Sequence, residues 1–496
     1  MKIYTKKILT LVAVMLAALS SCTSSFDEVN TDPNRPSADN VKAASILAYS
    51  LRYSTENMFD RRFDLQETAG FSGQIAMWMY SNPTIYVLDK AYNNNSWKVC
   101  YLTVSNLQSI IDMSAENSNM WAVATIFQCQ MYQVISDRWG DIPYSDALKL
   151  DSNVVKPKYD KQSYIYPDLL KRLKKAVETL DASKGALGAE DLLFGGDITR
   201  WKKYGNSLRL RIAARIANID PTDAKSTFEE ILGNTTSYPI AQDNNDNVFF
   251  QWNAEYVEPY AYIFKARPND FGVSKLIVET LQQADDPRLP VYVKPTANWT
   301  NATAEAQKTT EKYLGYQNGL KANANISFYS GIGTRFMSTT SLTGFSPWLR
   351  SCETYFAISY AASKGWKVGM TQEEAYNKAV QLSMAENSIS DAATTAYLQG
   401  KGKYDGTQEQ LFTQWWISVF KNSMEAWSLF RMSGYPSGNV IAPDSFYSGH
   451  NTPPMCYGYP DSERNLNSVN CSAEAAAEVN YYWGKQMWWD VRTGLK

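Results

Sequence analysis

Between Trp97 and Ser136 two apolar stripes run at spacings of three and four residues, parted by the short polar break Asn117-Ser118-Asn119. Val104, Leu107, Ile110 and Ile111 form the first stripe. Val123, Phe127 and Met131, with Val134 or Ile135, form the second. That spacing belongs to an amphipathic helix. A break so short predicts that the two helices return on each other as an antiparallel hairpin. The same period predicts helices over about 42–58, 62–79, 97–113, 120–136 and 160–180. In the last of these, Lys171, Arg172, Lys174 and Lys175 fall on the face away from the leucines, a solvated surface. A further helix carries Leu208, Ile212, Ile216 and Ile219 and is stopped by Asp220-Pro221. Others are expected near 222–232, 271–284, 351–364, 372–387 and 408–431. The fold class is therefore mostly α, with successive hairpins able to stack as a helical-repeat scaffold.

Residues 234–270 and 286–350 break the pattern. They are rich in Asn, Thr, Gly, Pro and aromatic residues and read as long ordered loops with short strands. Loops of that length within a compact protein tend to carry function. Helices resume after 351, which argues for one intertwined domain over 41–496.

The N-terminus has a separate logic. Lys2, Lys6 and Lys7 precede an apolar run from Ile8 to Leu19, followed by Ser20-Ser21-Cys22. A basic start, a short apolar core and small residues before the cut make a secretory signal over 1–21. The run is too short for a membrane span, which needs roughly 20 residues. Cys22 at the first mature position resembles a bacterial lipobox, whose cysteine receives acyl chains. Segment 22–40, with Pro33 and Pro36 close together, reads as an extended tether. Asp27-Glu28 resembles an acidic signal for export to the outer face.

A net charge of −2 gives no attraction to nucleic acid or to an anionic membrane surface. One histidine, His450, excludes multi-histidine zinc sites, and it lies in a loop-like stretch. Five cysteines remain beyond Cys22, without a C-x-x-C pair. Only Cys456 and Cys471 stand near enough to suggest a bridge, and spacing carries no geometry. Asp243-Asn244-Asn245-Asp246-Asn247 lacks the glycine and glutamate of an EF-hand and reads as a polar turn. Gly331-Ile332-Gly333 lacks the third glycine of a dinucleotide site.

Several segments, in order along nearly the whole chain, together resemble the SusD/RagB family of outer-membrane nutrient-binding lipoproteins, in its divergent SusD-like branch. They are Cys22 with Asn30-Thr31-Asp32-Pro33-Asn34, then Asp137-Arg138-Trp139-Gly140-Asp141-Ile142-Pro143-Tyr144, then Trp201-Lys202-Lys203-Tyr204-Gly205-Asn206 through Arg211. Asp286-Pro287-Arg288-Leu289-Pro290, Glu425-Ala426-Trp427 with Arg431 and Gly434-Tyr435-Pro436, Tyr459-Pro460 with Glu463 and Asn467, and Trp488-Trp489-Asp490 complete the series. Read physically, these motifs are mainly structural: Trp201 and Leu208 pack, and Arg209, Arg211 and Arg215 lie on a helix where they can pair with carboxylates or cap loop carbonyls.

The resemblance implies tetratricopeptide-like helix hairpins supporting a loop-rich ligand-binding face with short strands. It also implies a non-catalytic, lipid-anchored outer-membrane protein with no cofactor beyond the lipid on Cys22. Its partner would be a SusC-like TonB-dependent transporter, and its ligand a glycan or, alternatively, a peptide. Sugar recognition needs flat rings against sugar faces and polar groups for hydroxyls. The loops offer Trp78, Tyr80 and Tyr86 around Asn82, Trp252, Tyr256, Tyr260 and Tyr262 with Asn253 and Glu255, and Trp299 beside Asn298. Trp97 starts a helix, where packing is at least as good a reading. Two other functions stay open: a lipid-anchored glycoside hydrolase working through a carboxylate pair, which no motif nominates, and a purely structural transporter subunit.

Overall fold

The computed structural model describes residues 42–149, 153–185, 187–475 and 481–496, and, within these, the side chains of all but 472–475. Cys22 and the tether lie outside the described residues.

The predicted scaffold is present. Helices α1 (Ala43–Met58), α2 (Lys90–Met113), α3 (Asn119–Trp139), α4 (Gln162–Thr179), α5 (Ile198–Ile216) and α6 (Pro221–Gly233) pack each on the next in chain order, save that α1 lies on α2 across an intervening loop. Polar caps fix where they begin. The Ser118 hydroxyl accepts the Trp121 N–H, and the Asp220 carboxylate accepts that of Asp223 with Pro221 in the first turn. Helix α2 starts seven residues before the expected Trp97, because Asp89 caps it through the Tyr92 N–H. Gly140 ends α3 at a φ of 86°, where a side chain would be strained.

A second helical layer comprises α7 (Ser351–Ser363), α8 (Gln372–Glu386), α9 (Asp391–Gln399), α10 (Gln408–Ser418) and α11 (Ser423–Ser433). Helix α9 was not legible as an apolar stripe. The single helix expected over 408–431 is two. The chain breaks at Lys421, whose φ is 70°, and Asn422 caps the second helix through the Glu425 N–H.

Buried ion pairs clamp the two layers together. Arg211 meets Glu353 at 2.8 Å and Arg215 meets Glu425 at 2.6 Å. Asp137 at the end of α3 accepts the hydroxyls of Tyr166 and Ser428. Arg209 pairs with Glu230 on α6. These motif residues hold helices together, as their chemistry predicted. Breaking one such pair strands the other charge in the interior.

The connecting segments form three two-stranded antiparallel sheets: β1 (Ile75–Met77) with β5 (Phe271–Val273), β2 (Ile142–Pro143) with β3 (Tyr159–Asp160), and β4 (Val248–Trp252) with β6 (Gly344–Leu349). The helix expected over 62–79 is therefore corrected. A π-helical segment, Arg61–Thr68, and the turn Ala69–Phe71 give way to β1. Gly70 and Gly73 weaken a helix there, and pairing with 271–273 supplies the backbone partners instead. The same pairing converts 271–273 to strand, so the helix expected from 271 spans only Lys275–Gln283, capped by Ser274. Cys456 and Cys471 are buried and not joined by a disulfide, so the bridge that their spacing suggested is not formed.

Candidate functional site

The helix Pro259–Ala266 lies in the connection between β4 and β5. Glu258 caps that helix, its carboxylate accepting the Ala261 N–H at 2.6 Å. A helix places residues two apart on different sides. Tyr260 is therefore turned inward and fully buried, while Tyr262 is 61% exposed.

Beside this helix is a cleft of about 500 Å³. Trp252 at the end of β4, Tyr256 and Tyr262 form one wall. Arg52, Glu56 and Asn57 from the end of α1, with Asp60 and Arg61, form the other. Trp252 is buried at 5%, and its indole N–H donates to the Ser346 hydroxyl at 2.8 Å. Tyr256 is positioned by Asn253, whose side-chain oxygen accepts the Glu255 and Tyr256 N–H groups. The Arg52 guanidinium lies 5.1 Å from the Tyr256 ring centre, a cation–π contact, and pairs with Glu56 at 2.9 Å. Asp60 accepts the N–H groups of Arg62 and Phe63 and caps the π-helical segment. Burial raises its carboxyl to about 7, against the pull of those donors and the Tyr92 hydroxyl. Burial also lowers the Arg61 guanidinium, with Arg267 adding to the effect.

Arg61 is shared with a second depression of about 560 Å³, where Tyr80 stands 62% exposed. Tyr80 and Tyr86 bracket the turn Asn82–Ile85 with φ of 58° and 73°, unfavourable for bulky residues and held by the surroundings. The far end of the helix Pro259–Ala266 reaches a third pocket of about 430 Å³, lined by Trp78, Lys294 and Tyr329 among others. Trp78 lies flat on Gly272 of β5; a Cβ there would sit 2.1 Å from the indole. Trp299 is half-buried, on the short helix Ala297–Thr300 that edges this pocket, with the Lys312 ammonium 4.7 Å from its ring centre.

Of the eight candidate rings, Trp252, Tyr256 and Tyr262 converge in one cleft. Tyr80, Trp78 and Trp299 flank its neighbours. Two are corrected. Tyr86 is buried at 2%, packed on Phe71 and Trp483, and its hydroxyl accepts the Ala442 N–H. Tyr260 is buried at 1%, and its hydroxyl donates to Asp64 at 2.6 Å. Neither ring offers a face to a ligand. Trp97 stacks edge-on against Trp139 and serves packing. His450 lies parallel to Trp483, 4.1 Å away, as a packed ring. Asp243–Asn247 is a capped polar turn, with Asp246 paired to Lys203 at 2.8 Å.

Arg52 and Asn57 escaped the reading because they sit in a stretch of helical pattern, and Asp60 and Arg61 because they fall in the short gap between two expected helices. The one available signal was Tyr49 and Tyr53, four apart and stacked at 5.1 Å, on the same helix as Arg52 and Glu56.

A family model described as SusD-like, starch-binding associating with outer membrane, matches residues 33–460. A solved chitin-binding protein is 26% identical, with 91% of this chain and 100% of that one covered at a TM-score of 0.78. A SusD-like protein from Bacteroides thetaiotaomicron is 21% identical, covering 91% and 99%, TM-score 0.77. A chitin-binding SusD homologue from Flavobacterium johnsoniae is 20% identical, covering 91% and 98%, TM-score 0.74. The last two show the likeness of fold alone. No curated protein matches.

Proposed function

The chain belongs to the SusD-like family, and we propose that it is a cell-surface lipoprotein that binds a glycan on its loop-rich face and hands it to a SusC-like TonB-dependent transporter. Cys22 carries the lipid that holds it to the outer membrane, with 22–40 as the tether. The exposed rings of Tyr256 and Tyr262, converging on one cleft with the buried Trp252 behind them, carry the glycan reading. Ring faces take the apolar faces of sugars, and Arg52, Glu56 and Asn57 offer paired donors and acceptors to hydroxyls. A 26% identical solved neighbour is described as chitin-binding, which makes chitin oligosaccharides the first ligands to try.

The reading is non-catalytic. Of the three carboxylates lining the cleft, Glu56 pairs with Arg52 and Asp60 caps a helical segment, while Glu255 stands exposed at the rim. A glycosidase needs one carboxyl free to protonate the leaving group and a second poised opposite. No step here needs bond cleavage.

The test is direct. Protein beginning after the signal is titrated with a panel of oligosaccharides by calorimetry, alongside a reducing-end assay. Saturable binding without release of reducing ends is expected. Steady release of reducing ends, or no binding across neutral and acidic glycans and peptides, overturns the proposal.

A further inference from the structure

The cations of the first cleft are neutralised within the protein. Arg52 meets Glu56 at 2.9 Å, and Arg61 meets Asp270 at 3.5 Å. The third pocket is different. Its walls are Trp78, Phe264, Phe271, Ile332 and Met337, and Lys294 is the only charged residue lining it. Among the described residues the Lys294 ammonium has neither a carboxylate nor a hydrogen-bond partner. It is half-buried, and this burial lowers its pKa from the usual lysine value, with no acid nearby to restore it.

The backbone keeps the pocket open at that point. A Cβ on Gly331 would lie 3.8 Å from Lys294 Cδ and 3.9 Å from Trp78 Cη2. A methyl there would touch both the lysine stem and the indole edge at ordinary contact distance. Lys294 itself is fixed by its N–H, which donates to the Gly331 carbonyl at 2.9 Å. A mostly apolar slot edged by a half-buried ammonium loses part of its solvation. A ligand that fills the slot and brings an anion would recover it.

We infer that the pocket between Trp78 and Lys294 is a subsite for a carboxylate-bearing sugar, a uronic-acid unit whose ring lies along Trp78 and whose carboxylate meets the Lys294 ammonium. Asn269 and Tyr329, also in the lining, are neutral and suit the remaining hydroxyls. The inference rests on the glycan-binding reading and adds to it a charge preference.

Three probes separate the possibilities: methyl glucuronoside, methyl glucoside and methyl N-acetylglucosaminide, titrated at millimolar concentration. Lysines are reductively ¹³C-methylated, and the Lys294 signal is assigned by its loss in Lys294→Gln. The expected result is a Lys294 shift with the uronoside at an affinity about fivefold or more above either neutral sugar. Lys294→Gln brings the ratio to about one, and Lys294→Arg keeps it, both variants melting as the parent does. Equal affinity for all three sugars overturns the charge preference while leaving glycan binding in place. Tighter binding of the acetamido sugar, or a preference that survives Lys294→Gln, overturns it too. Failure of every sugar here and of every glycan in the calorimetric panel removes both readings together.

Discussion

The Lys421 ammonium meets the Glu258 carboxylate at 3.0 Å in the protein interior, with side chains 1% and 0% exposed. The pair joins the break between α10 and α11 to the cap of the helix that carries Tyr262. Burial lowers the Lys421 pKa, and Glu258 offsets part of that shift. The helix that carries Tyr262 is therefore moored to the helical core through a buried charge pair.

Lys421→Met leaves Glu258 buried without its cation and is expected to cost about 3–5 kcal/mol. Adding Glu258→Gln to Lys421→Met should restore part of that loss, since the stranded charge is gone. Urea unfolding of the two single variants and the double variant measures the coupling. Additive losses would mean that the pair does not act as a unit.

Tyr260 and Tyr262 should separate stability from binding. Tyr262→Ala removes an exposed ring and should change stability by no more than about 0.5 kcal/mol. Glycan affinity should fall by roughly 1 kcal/mol, the loss of one stacked face. Tyr260→Ala empties a core position and should destabilise by about 3–5 kcal/mol. Thermal melts and calorimetric titration of both variants check the contrast.

Asp60 predicts a pH dependence. Its carboxyl is raised from the usual 3.8 to about 7 by burial. The unfolded chain loses this proton near 3.8, while the folded chain holds it until about 7. The folded state therefore binds more protons in that window, and stability from this group falls as pH rises through it. It is fully present below 3.8. Asp60→Asn keeps a cap acceptor but cannot ionise. Relative to that variant, the parent should lose stability between pH 4 and 7 and level off above. An unchanged difference across the window would reject the shift.

Gly272→Ala places a methyl 2.1 Å from the Trp78 indole, inside β5. The ring must move or the strands must part, at about 1–3 kcal/mol. Binding at the Trp78 pocket should weaken with it, since the indole is one of its walls. An unperturbed melt would show that the ring does not rest there.

The helical stripes were legible because they depend on neighbours three and four residues away. Val104, Leu107 and Ile110 are all buried, as are Val123, Phe127 and Met131. The segment 62–79 was misread for the opposite reason. Its β1 strand exists through pairing with 271–273, about 200 residues on, and no local pattern announces that partner.

The site divides along the same line. From the residues alone follow the helical scaffold, the resemblance carried by motifs such as Asp137-Arg138-Trp139-Gly140-Asp141, and the placing of aromatic residues in long loops. Tertiary structure alone decided which rings face outward. Tyr260 reaches Asp64 and is lost to the core, while Tyr262, two residues on, stands beside Arg52 and Glu56 from the first helix. Exposure depends on what packs against a residue from elsewhere in the chain. So does the solitude of Lys294, whose missing counter-charge is a property of the whole pocket and of no segment within it.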